Sequence, residues 1–295
     1  MRYNSCMENV VYDMETSDVD DICALCILCY HPAFNLRAVT ITPGSIFQVW
    51  VVKEFLTLCG RGDVPVGSRE VDLLKECVSG PIIKYFGEIK ALAPDGVGCD
   101  ILESVFQKYP DTTLITGAPL CNPRKFIEKT ALTINRWVGQ GGFAGDNVVP
   151  PEHRLAKFAG MRTCATFNFN GDTKGAQLLL STPKINKRVL VSKNVCHGVI
   201  YDRLFHERLK LSGNSTDGFK TMMNFMEHYL SSHSLKAFHD PLAVCVAARE
   251  NICEFRRVEL FREKGLWGSK LSDASNTSIS VMVDMNLFFD TLTGA

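Results

Sequence analysis

The chain has 295 residues, of which 46% are hydrophobic and 22% charged, and its formal net charge is zero. Because no block of Lys and Arg stands out from this balance, the composition argues against nucleic acid as a partner. The N-terminus lacks an apolar core long enough for a signal peptide, and no uncharged run approaches membrane-spanning length. We therefore expect a globular cytoplasmic protein that binds neither nucleic acid nor a membrane.

Strands and helices alternate through much of the chain. The predicted strands are NVVY, LRAVTIT, TTLIT, RWVG and RVLVS, at 9–12, 36–42, 112–116, 136–139 and 188–192. Helices are predicted from about residue 20, over 47–58, from about residue 122 and over 203–211, and a Gly-rich loop follows the fourth strand. This alternation predicts a single Rossmann-like α/β domain over residues 1–295, with a mixed, mostly parallel sheet flanked by helices.

The twelve cysteines are scattered, and several lie in apolar runs typical of helices. The run Cys23-x-x-Cys26-x-x-Cys29 invites comparison with a metal cluster. Steps of three residues fan the thiols around a helix axis, however, and Ala, Leu, Ile and Leu fill the positions between them. The pattern therefore predicts reduced thiols in the core of a cytoplasmic protein.

An acidic segment directly follows the first predicted strand. VVYDMETSDVDDICAL (10–25) places five acidic side chains within nine residues: Asp13, Glu15, Asp18, Asp20 and Asp21. In a parallel sheet the binding site lies beyond the carboxyl ends of the strands. The TGAP turn (116–119) and the GGFAGDN loop (141–147) also follow predicted strands, so we expect the three segments to border one crevice.

Carboxylates this close together ionise at a high cost unless a cation compensates them. An all-oxygen, carboxylate-rich site prefers a hard ion, Ca²⁺ or Mg²⁺. Asp13 and Asp21 can converge on such an ion, with carbonyls of Thr116 and Gly117 and the carboxylate of Asp240 as further ligands. Helix N-termini also favour acidic residues, which explains Asp21 and Asp240 without a metal. The preference of helix N-termini for acids does not explain Asp13, which directly follows four strand residues, where burial of a carboxylate is costly.

A phosphatase of the haloacid dehalogenase type is one interpretation of these motifs. VVYDMET is similar to the Asp-x-Asp-x-Thr that ends the first strand of such enzymes, with Asp13 as the nucleophile. TLITGA is similar to their hydroxyl motif, and Asn170-Gly171-Asp172 to the start of their metal motif. Glu15 in place of the second acid, and the unused pair of aspartates that follows, count against this interpretation.

A longer series of motifs resembles the inosine–uridine-type nucleoside hydrolase family. DMETSDVDDICAL is similar to the family's Asp-x-Asp-Pro-Gly-x-Asp-Asp-Ala, with one additional residue. DGVG (95–98) resembles Asp-Gly-Leu-Gly, TLITGAPLCN resembles Thr-Gly-Pro-Leu-Thr-Asn, and GGFAGDN resembles Gly-Gly-Ala…Gly-Asn. TFNFNGDTKGAQLLL and FHDPLAV are similar to two later motifs, so the resemblance covers most of the chain in the family's order.

The resemblance implies calcium-dependent hydrolysis of the N-glycosidic bond of a ribonucleoside, or of a related ribosyl compound, to free base and ribose. Asp13, Asp21, Asp240 and a carbonyl near Gly117 would hold Ca²⁺. Asp13 would also take the proton of the attacking water, and His239 would protonate the leaving base. A small-molecule nucleoside as partner, a role in salvage, and a homo-oligomer (dimer or tetramer) are implied as well.

The same resemblance assigns Asp20, Asn147 and Asn168 to the ribose. Two departures from the family pattern leave the substrate open. Thr166 stands where the family has Glu, which loses or shortens one sugar contact, and the loop 143–163 is longer.

The longer acidic segment leaves two of its members without a role. Glu15 either takes the place of the family's second Asp or points to solvent, and Asp18 has no counterpart. His197 lies near a strand–helix junction where the family often has a histidine, again without a clear role. A non-catalytic nucleoside-binding or sensing module on the same fold is a third interpretation.

Overall fold

A computed structural model describes residues 7–70, 73–74 and 77–294. Its strands are β1 (Glu8–Met14), β2 (Phe34–Ile41), β3 (Val66–Ser68), β4 (Gly96–Val97), β5 (Thr113–Thr116), β6 (Ile134–Gln140), β7 (Thr163–Cys164), β8 (Ile185–Val191), β9 (Ile200–Asp202), β10 (Leu235–Ala237), β11 (Cys253–Glu263), β12 (Leu266–Leu271) and β13 (Thr277–Val283). Within the described residues, eleven of these strands form one sheet in the order β4-β3-β2-β1-β5-β6-β8-β13-β11-β12-β7. β9 and β10 form a separate antiparallel pair.

The helices are α1 (Val19–Tyr30), α2 (Ile46–Leu58), α3 (Gly80–Phe86), α4 (Gly98–Lys108), α5 (Cys121–Lys129), α6 (Phe167–Gly171), α7 (Thr173–Ser181), α8 (Lys193–Cys196), α9 (Arg203–Lys210), α10 (Asp217–Leu230), α11 (Asp240–Ala248) and α12 (Met285–Leu292). All five predicted strands and the predicted helices that follow them are present. No helix among the described residues has the length and apolar character needed to cross a membrane.

The sheet is mixed and mostly parallel, as predicted. Pairings from β4 through to β13 are parallel, whereas β13, β11, β12 and β7 pair antiparallel. The sequence did not predict this antiparallel end, because β11, β12 and β13 follow one another without intervening helices and β7 has only two residues.

Two apolar cores lie on opposite faces of the sheet. Successive side chains of a strand point to opposite faces, so Val10 and Tyr12 pack in one core and Val11 in the other. The first core contains side chains of α1, α2, α10 and α11, and the second contains those of α4, α5 and α7. Cys23 and Cys26 are fully buried in the first core, which confirms the core prediction for these thiols.

The sheet register brings the ends of the central strands together. Asp13 of β1 pairs with Thr40 of β2 on one side and with Thr116 of β5 on the other. Thr116 in turn pairs with Gly139 of β6. Loops that leave these four strands therefore meet at one edge of the sheet, where α1 and α11 also begin.

Candidate active site

A cavity of about 300 Å³ opens at the carboxyl ends of β1, β5 and β6. Its wall contains five carboxylates, from Glu15, Asp18, Asp20, Asp21 and Asp240. The wall is completed by Gly117, Gln140, Thr166, Phe167, Asn168, Lys193, Cys196, His197 and His239, together with Ser17. Its volume lies at the small end of the range for ligand pockets, which suits a small polar molecule.

Asp13 is completely buried at the end of β1. Thr40 Oγ1 donates a hydrogen bond to Asp13 Oδ1 at 2.6 Å, and Asn122 Nδ2 donates to the same oxygen at 2.9 Å. Asp13 Oδ2 is buried without a hydrogen-bond partner. Burial raises the pKa of Asp13 to about 7, although the two hydrogen bonds oppose that shift. Asp13 thus offers a carboxyl group whose pKa is raised to about 7 and which has one oxygen without a partner, and it is not among the residues that line the cavity.

Asp21 and Asp240 meet across the sheet edge from opposite ends of the chain. Burial raises the pKa of both carboxyls well above the usual range, and the charge of Asp240 raises that of Asp21 further. Their side chains share a hydrogen bond, which two carboxylates can make only if one holds a proton. A cation bound between this pair and the free oxygen of Asp13 would take the place of protons on these carboxyl groups.

Gly117 gives the Asp240 carboxylate room to approach β5. A Cβ on Gly117 would lie 2.7 Å from Asp240 Oδ2 and 2.8 Å from the hydroxyl of Tyr12. The Gly117 N–H donates to the carbonyl of Asp13 at 2.8 Å, so the backbone here has little freedom to move away. A residue without a side chain is therefore required at this position.

Gly117→Ala is expected to lower kcat for the hydrolysis that the resemblance implies by about 10²-fold, because displacement of a carboxylate in an active site by roughly 1 Å has effects of that size. Steady-state kinetics check this result, with circular dichroism to establish that the variant is folded. Gly80→Ala, at the exposed first residue of α3 where a Cβ would meet nothing within 4 Å, is the matched control for the added methyl group. Equal activity in Gly117→Ala and wild type would contradict the need for close approach here.

Asp20 ties the start of α11 to the acidic segment. Its Oδ2 accepts hydrogen bonds from the backbone N–H of His239 at 2.8 Å and of Asp240 at 3.2 Å. Lys236 lies 3.1 Å from Asp20 Oδ1 and 2.8 Å from Asp18 Oδ2. Asp20 thus fixes the backbone of His239, which is predicted to protonate the leaving base, and of Asp240, which is predicted to bind the metal.

The remaining acids of the segment have separate positions. Asp18 precedes α1 as its N-cap and accepts from the N–H of Val19, while Asp21 accepts from the N–H of Asp18. Glu15 lies in the cavity wall rather than in solvent, and burial raises its pKa to about 7. Glu15 is therefore one more carboxyl group in the cavity wall.

His239 lies in the cavity with Nε2 buried and unpartnered, and its Nδ1 is 3.9 Å from Asp20 Oδ2. Burial lowers the pKa of His239 to about 4, and the charge of Lys236 adds to this effect. The neutral ring therefore predominates at pH 7 in the unliganded protein.

The two asparagines predicted to bind the sugar are in different places. Asn168 lines the cavity, and its amide donates to the side-chain oxygen of Gln140 at 2.7 Å. Asn147 is exposed and lies outside the cavity wall, and its amide donates to the carbonyl of Ser269 at 2.7 Å. The structure thus brings Asn168, but not Asn147, to the cavity.

Among the described residues, two groups of three His, Asp or Glu side chains have ligand atoms within 4.8 Å of one another. The first, Asp18, Asp20 and His239, borders the cavity. The second contains Glu227, whose carboxylate is already paired with Arg203 at 2.6 Å and Lys210 at 3.0 Å. The first group differs from the predicted ligand set of Asp13, Asp21 and Asp240. Asp18 and Asp20 of the first group are already paired with Lys236.

Several residues of the site were not predicted from the sequence. Asn122 holds Asp13, Lys236 balances two aspartates, and Gln140 and Lys193 line the cavity. Asn122 ends the motif TLITGAPLCN, and Gln140 directly follows the predicted strand RWVG. Their positions after strands are a signal that could have singled them out. Lys236 lies 218 positions from Asp18, and no local pattern indicates such a contact.

The protein is of the α/β class, with a mostly parallel sheet and a carboxylate-rich cavity at the carboxyl ends of its strands. Such a cavity is suited to a hard cation and a small polar ligand. Residues 10–290 match the sequence model of a family described as inosine-uridine preferring nucleoside hydrolase. The chain belongs to this family. It is therefore a nucleoside hydrolase, an enzyme that acts on N-glycosyl bonds, and the phosphatase interpretation is wrong.

Similar proteins extend along nearly the whole chain. An uncharacterized protein of Aquifex aeolicus (strain VF5) is 29% identical over 286 residues, which cover 92% of this chain and 94% of that protein. A plant nucleoside hydrolase, PpNRh1, superposes with a TM-score of 0.76 at 18% identity and covers 98% of this chain and 100% of its own. The inosine-uridine preferring nucleoside hydrolase of Bacillus anthracis has a TM-score of 0.68 at 16% identity, over 97% and 98% of the two chains. These structural similarities support the predicted fold.

Proposed function

We propose that this protein hydrolyses the N-glycosidic bond of a ribonucleoside, or of a related ribosyl compound, to free base and ribose, with Ca²⁺ as its cofactor. The observation that carries the proposal is the buried Asp13 carboxyl group, with one unpartnered oxygen, at the end of β1. In a chain of this family, such a group at the carboxyl edge of the sheet is suited to a cation and to an attacking water.

The donor set fits a hard cation. Asp13, Asp21 and Asp240 with a carbonyl near Gly117 form an all-oxygen set, and oxygen ligands are what Ca²⁺ prefers. Burial raises the pKa of all three carboxyls, which favours their protonated forms in the absence of a cation, and a cation would compete with those protons. When bound there, Ca²⁺ would lower the pKa of a water and orient ribose hydroxyls.

Asp13 acts as the general base in this proposal. Its Oδ2 takes the proton of the attacking water while Thr40 and Asn122 hold Oδ1. The water oxygen then bonds to C1′ of the ribose, and the C1′–N bond breaks with its electron pair passing to the base. The carboxylates around the cavity favour the positive charge that develops on the ribosyl group.

His239 supplies the proton that the departing base requires. Because burial and Lys236 hold its pKa near 4, the ring takes up this proton from bulk water after the substrate is bound, when the developing negative charge of the base favours the protonated ring. Asp20 and Asn168 bind ribose hydroxyls. Asp20 does so with lone pairs that the backbone of α11 and Lys236 leave free. Asn147 has no part in this scheme, since it is exposed and its amide is bonded to the carbonyl of Ser269.

A panel of ribonucleosides incubated with the protein and calcium tests the proposal. Chromatography is expected to detect equimolar free base and ribose from at least one nucleoside. Thermal stabilisation by a nucleoside without turnover would instead support the non-catalytic binding module. No base from any nucleoside would contradict the proposed function.

A further inference from the structure

Two imidazole rings lie side by side in the active cavity. His197 follows α8, His239 precedes α11, and both line the cavity. Their ring centroids are 4.8 Å apart and the planes are inclined at 54°. Only His239 has a role in the hydrolysis described above, so the presence of a second ring at the same end of the cavity requires its own explanation.

The second ring is held by a single 3₁₀ turn over Ala156–Phe158. Lys157 Nζ lies 3.2 Å from His197 Nδ1, and the Phe158 ring meets the His197 ring edge to face at a centroid distance of 5.4 Å. Phe158 itself packs on Phe143 of the Gly-rich loop, which anchors the turn. Lys157 is exposed and does not line the cavity itself.

The lysine determines which nitrogen of His197 carries the proton. An ammonium group can only donate hydrogen bonds, so Nδ1 must be the acceptor in this contact. In the neutral ring the proton then lies on Nε2, because the partner of one nitrogen sets the tautomer at the other. Since Nδ1 is occupied, Nε2–H is the donor that His197 can offer to a ligand in the cavity.

The charges of the cavity indicate which part of a nucleoside this donor meets. The carboxylates belong to the acidic segment and to the start of α11, where a cation and sugar hydroxyls are favoured. Lys193 lines the cavity wall, as His197 does, and Lys157 contacts His197 Nδ1. These two cationic groups favour negative charge at the His197 end of the cavity. When the C1′–N bond breaks, the group that gains negative charge is the base.

We propose that His197 is a further catalytic residue, which donates a hydrogen bond from Nε2 to the leaving base, and that Lys157 is the positioning residue that keeps His197 in this tautomer. The inference rests on the proposed nucleoside hydrolysis. The hydrogen bond strengthens as the base becomes anionic, so it lowers the barrier for bases that leave with difficulty. A substrate whose leaving group departs as a stable anion does not need this hydrogen bond.

The test compares two kinds of substrate in the calcium-loaded protein: inosine and uridine as nucleosides, and 4-nitrophenyl β-D-ribofuranoside as an aryl riboside. His197→Phe keeps a ring against Phe158 but removes the donor. It is expected to lower kcat for the nucleosides by about 10²-fold, the usual effect of losing one donor to a developing charge. KM for the nucleosides and kcat for the aryl riboside should stay within about threefold of wild type, because neither depends on this hydrogen bond.

The lysine is tested in the same assay. Lys157→Met is expected to lower kcat for the nucleosides by about tenfold without affecting the aryl riboside, and Lys157→Arg, which keeps a cationic donor, should restore most of that loss. His197→Gln retains an N–H donor and should be less impaired than His197→Phe, which keeps the test valid if the latter fails to fold.

Equal losses on nucleosides and aryl riboside, or unchanged kcat in His197→Phe, would overturn the inference while leaving the proposed function standing. If wild-type protein releases neither base nor nitrophenol, the proposed function itself fails, and the inference fails with it.

Discussion

Asp13→Asn is expected to reduce kcat for base release by at least about 10³-fold, since general base catalysis alone contributes about 10²–10⁴ and a predicted metal ligand is lost as well. The amide has the shape of the carboxyl group, and its oxygen can still accept from Thr40 and Asn122. What it cannot do is take a proton from water. Steady-state kinetics with calcium present measure the effect.

The stability of the same variant separates chemistry from folding. Asp13 is a buried carboxyl group whose pKa is raised to about 7, so its ionisation above that pH opposes folding. In the presence of a chelator at pH 8, Asp13→Asn should therefore unfold at the same temperature as wild type or higher. Asp63→Asn, at an exposed ion pair with Arg61, is the matched control and should keep full activity. An Asp13→Asn protein that remains active would remove Asp13 from the mechanism.

Calcium is expected to stabilise the protein far more at pH 8 than at pH 5. Burial raises the pKa of Asp13 and of Glu15 to about 7, and it raises the pKa of Asp21 and Asp240 as well. In the unfolded chain these groups lose their protons near pH 4. Between about pH 4 and pH 7 the folded protein thus binds more protons than the unfolded chain, and its free energy of unfolding falls as the pH rises. For Asp13 and Glu15 this contribution levels off above about pH 7.

A cation competes with those protons for the carboxyl groups, so the stabilisation that it provides increases as the pH rises. At a free concentration 100 times its dissociation constant, calcium would add about 2.7 kcal/mol to the free energy of unfolding at pH 8 and much less at pH 5. Thermal unfolding with chelator or with calcium, at both pH values, measures the difference. Asp240→Asn should weaken the response to calcium at pH 8. Equal stabilisation at the two pH values, or none, would contradict the assigned cation site.

The alternation of apolar strands and helices was enough to predict the parallel part of the sheet, because each βα unit has a local signature. The order of the strands was not predicted, since it depends on contacts between distant segments. β11, β12 and β13 were missed because they pair as neighbouring antiparallel strands, a pattern that the βα alternation does not contain.

The location of some site residues was likewise predictable from the sequence, and that of others was not. Asp13, Asp21, Gly117 and Asp240 follow strands or begin helices, so the rule that sites lie at carboxyl ends of strands placed them correctly at one edge of the sheet. Asn147 belongs to a loop longer than in the family pattern, and its amide bonds to the backbone of β12 instead.

Other features depend on side-chain positions that no motif encodes, among them the contact of Lys157 with His197 and the entry of Glu15 into the cavity wall. The single domain, the cytoplasmic location and the dimer or tetramer stay predictions.

Base release by protein stripped of metal with a chelator, before and after calcium is restored, is the most direct test of cation-dependent N-glycosidic hydrolysis. The account predicts that the stripped protein releases no base from a nucleoside that the untreated protein hydrolyses, and that added calcium restores the activity of wild type but not of Asp13→Asn. Undiminished base release by the stripped protein would contradict it.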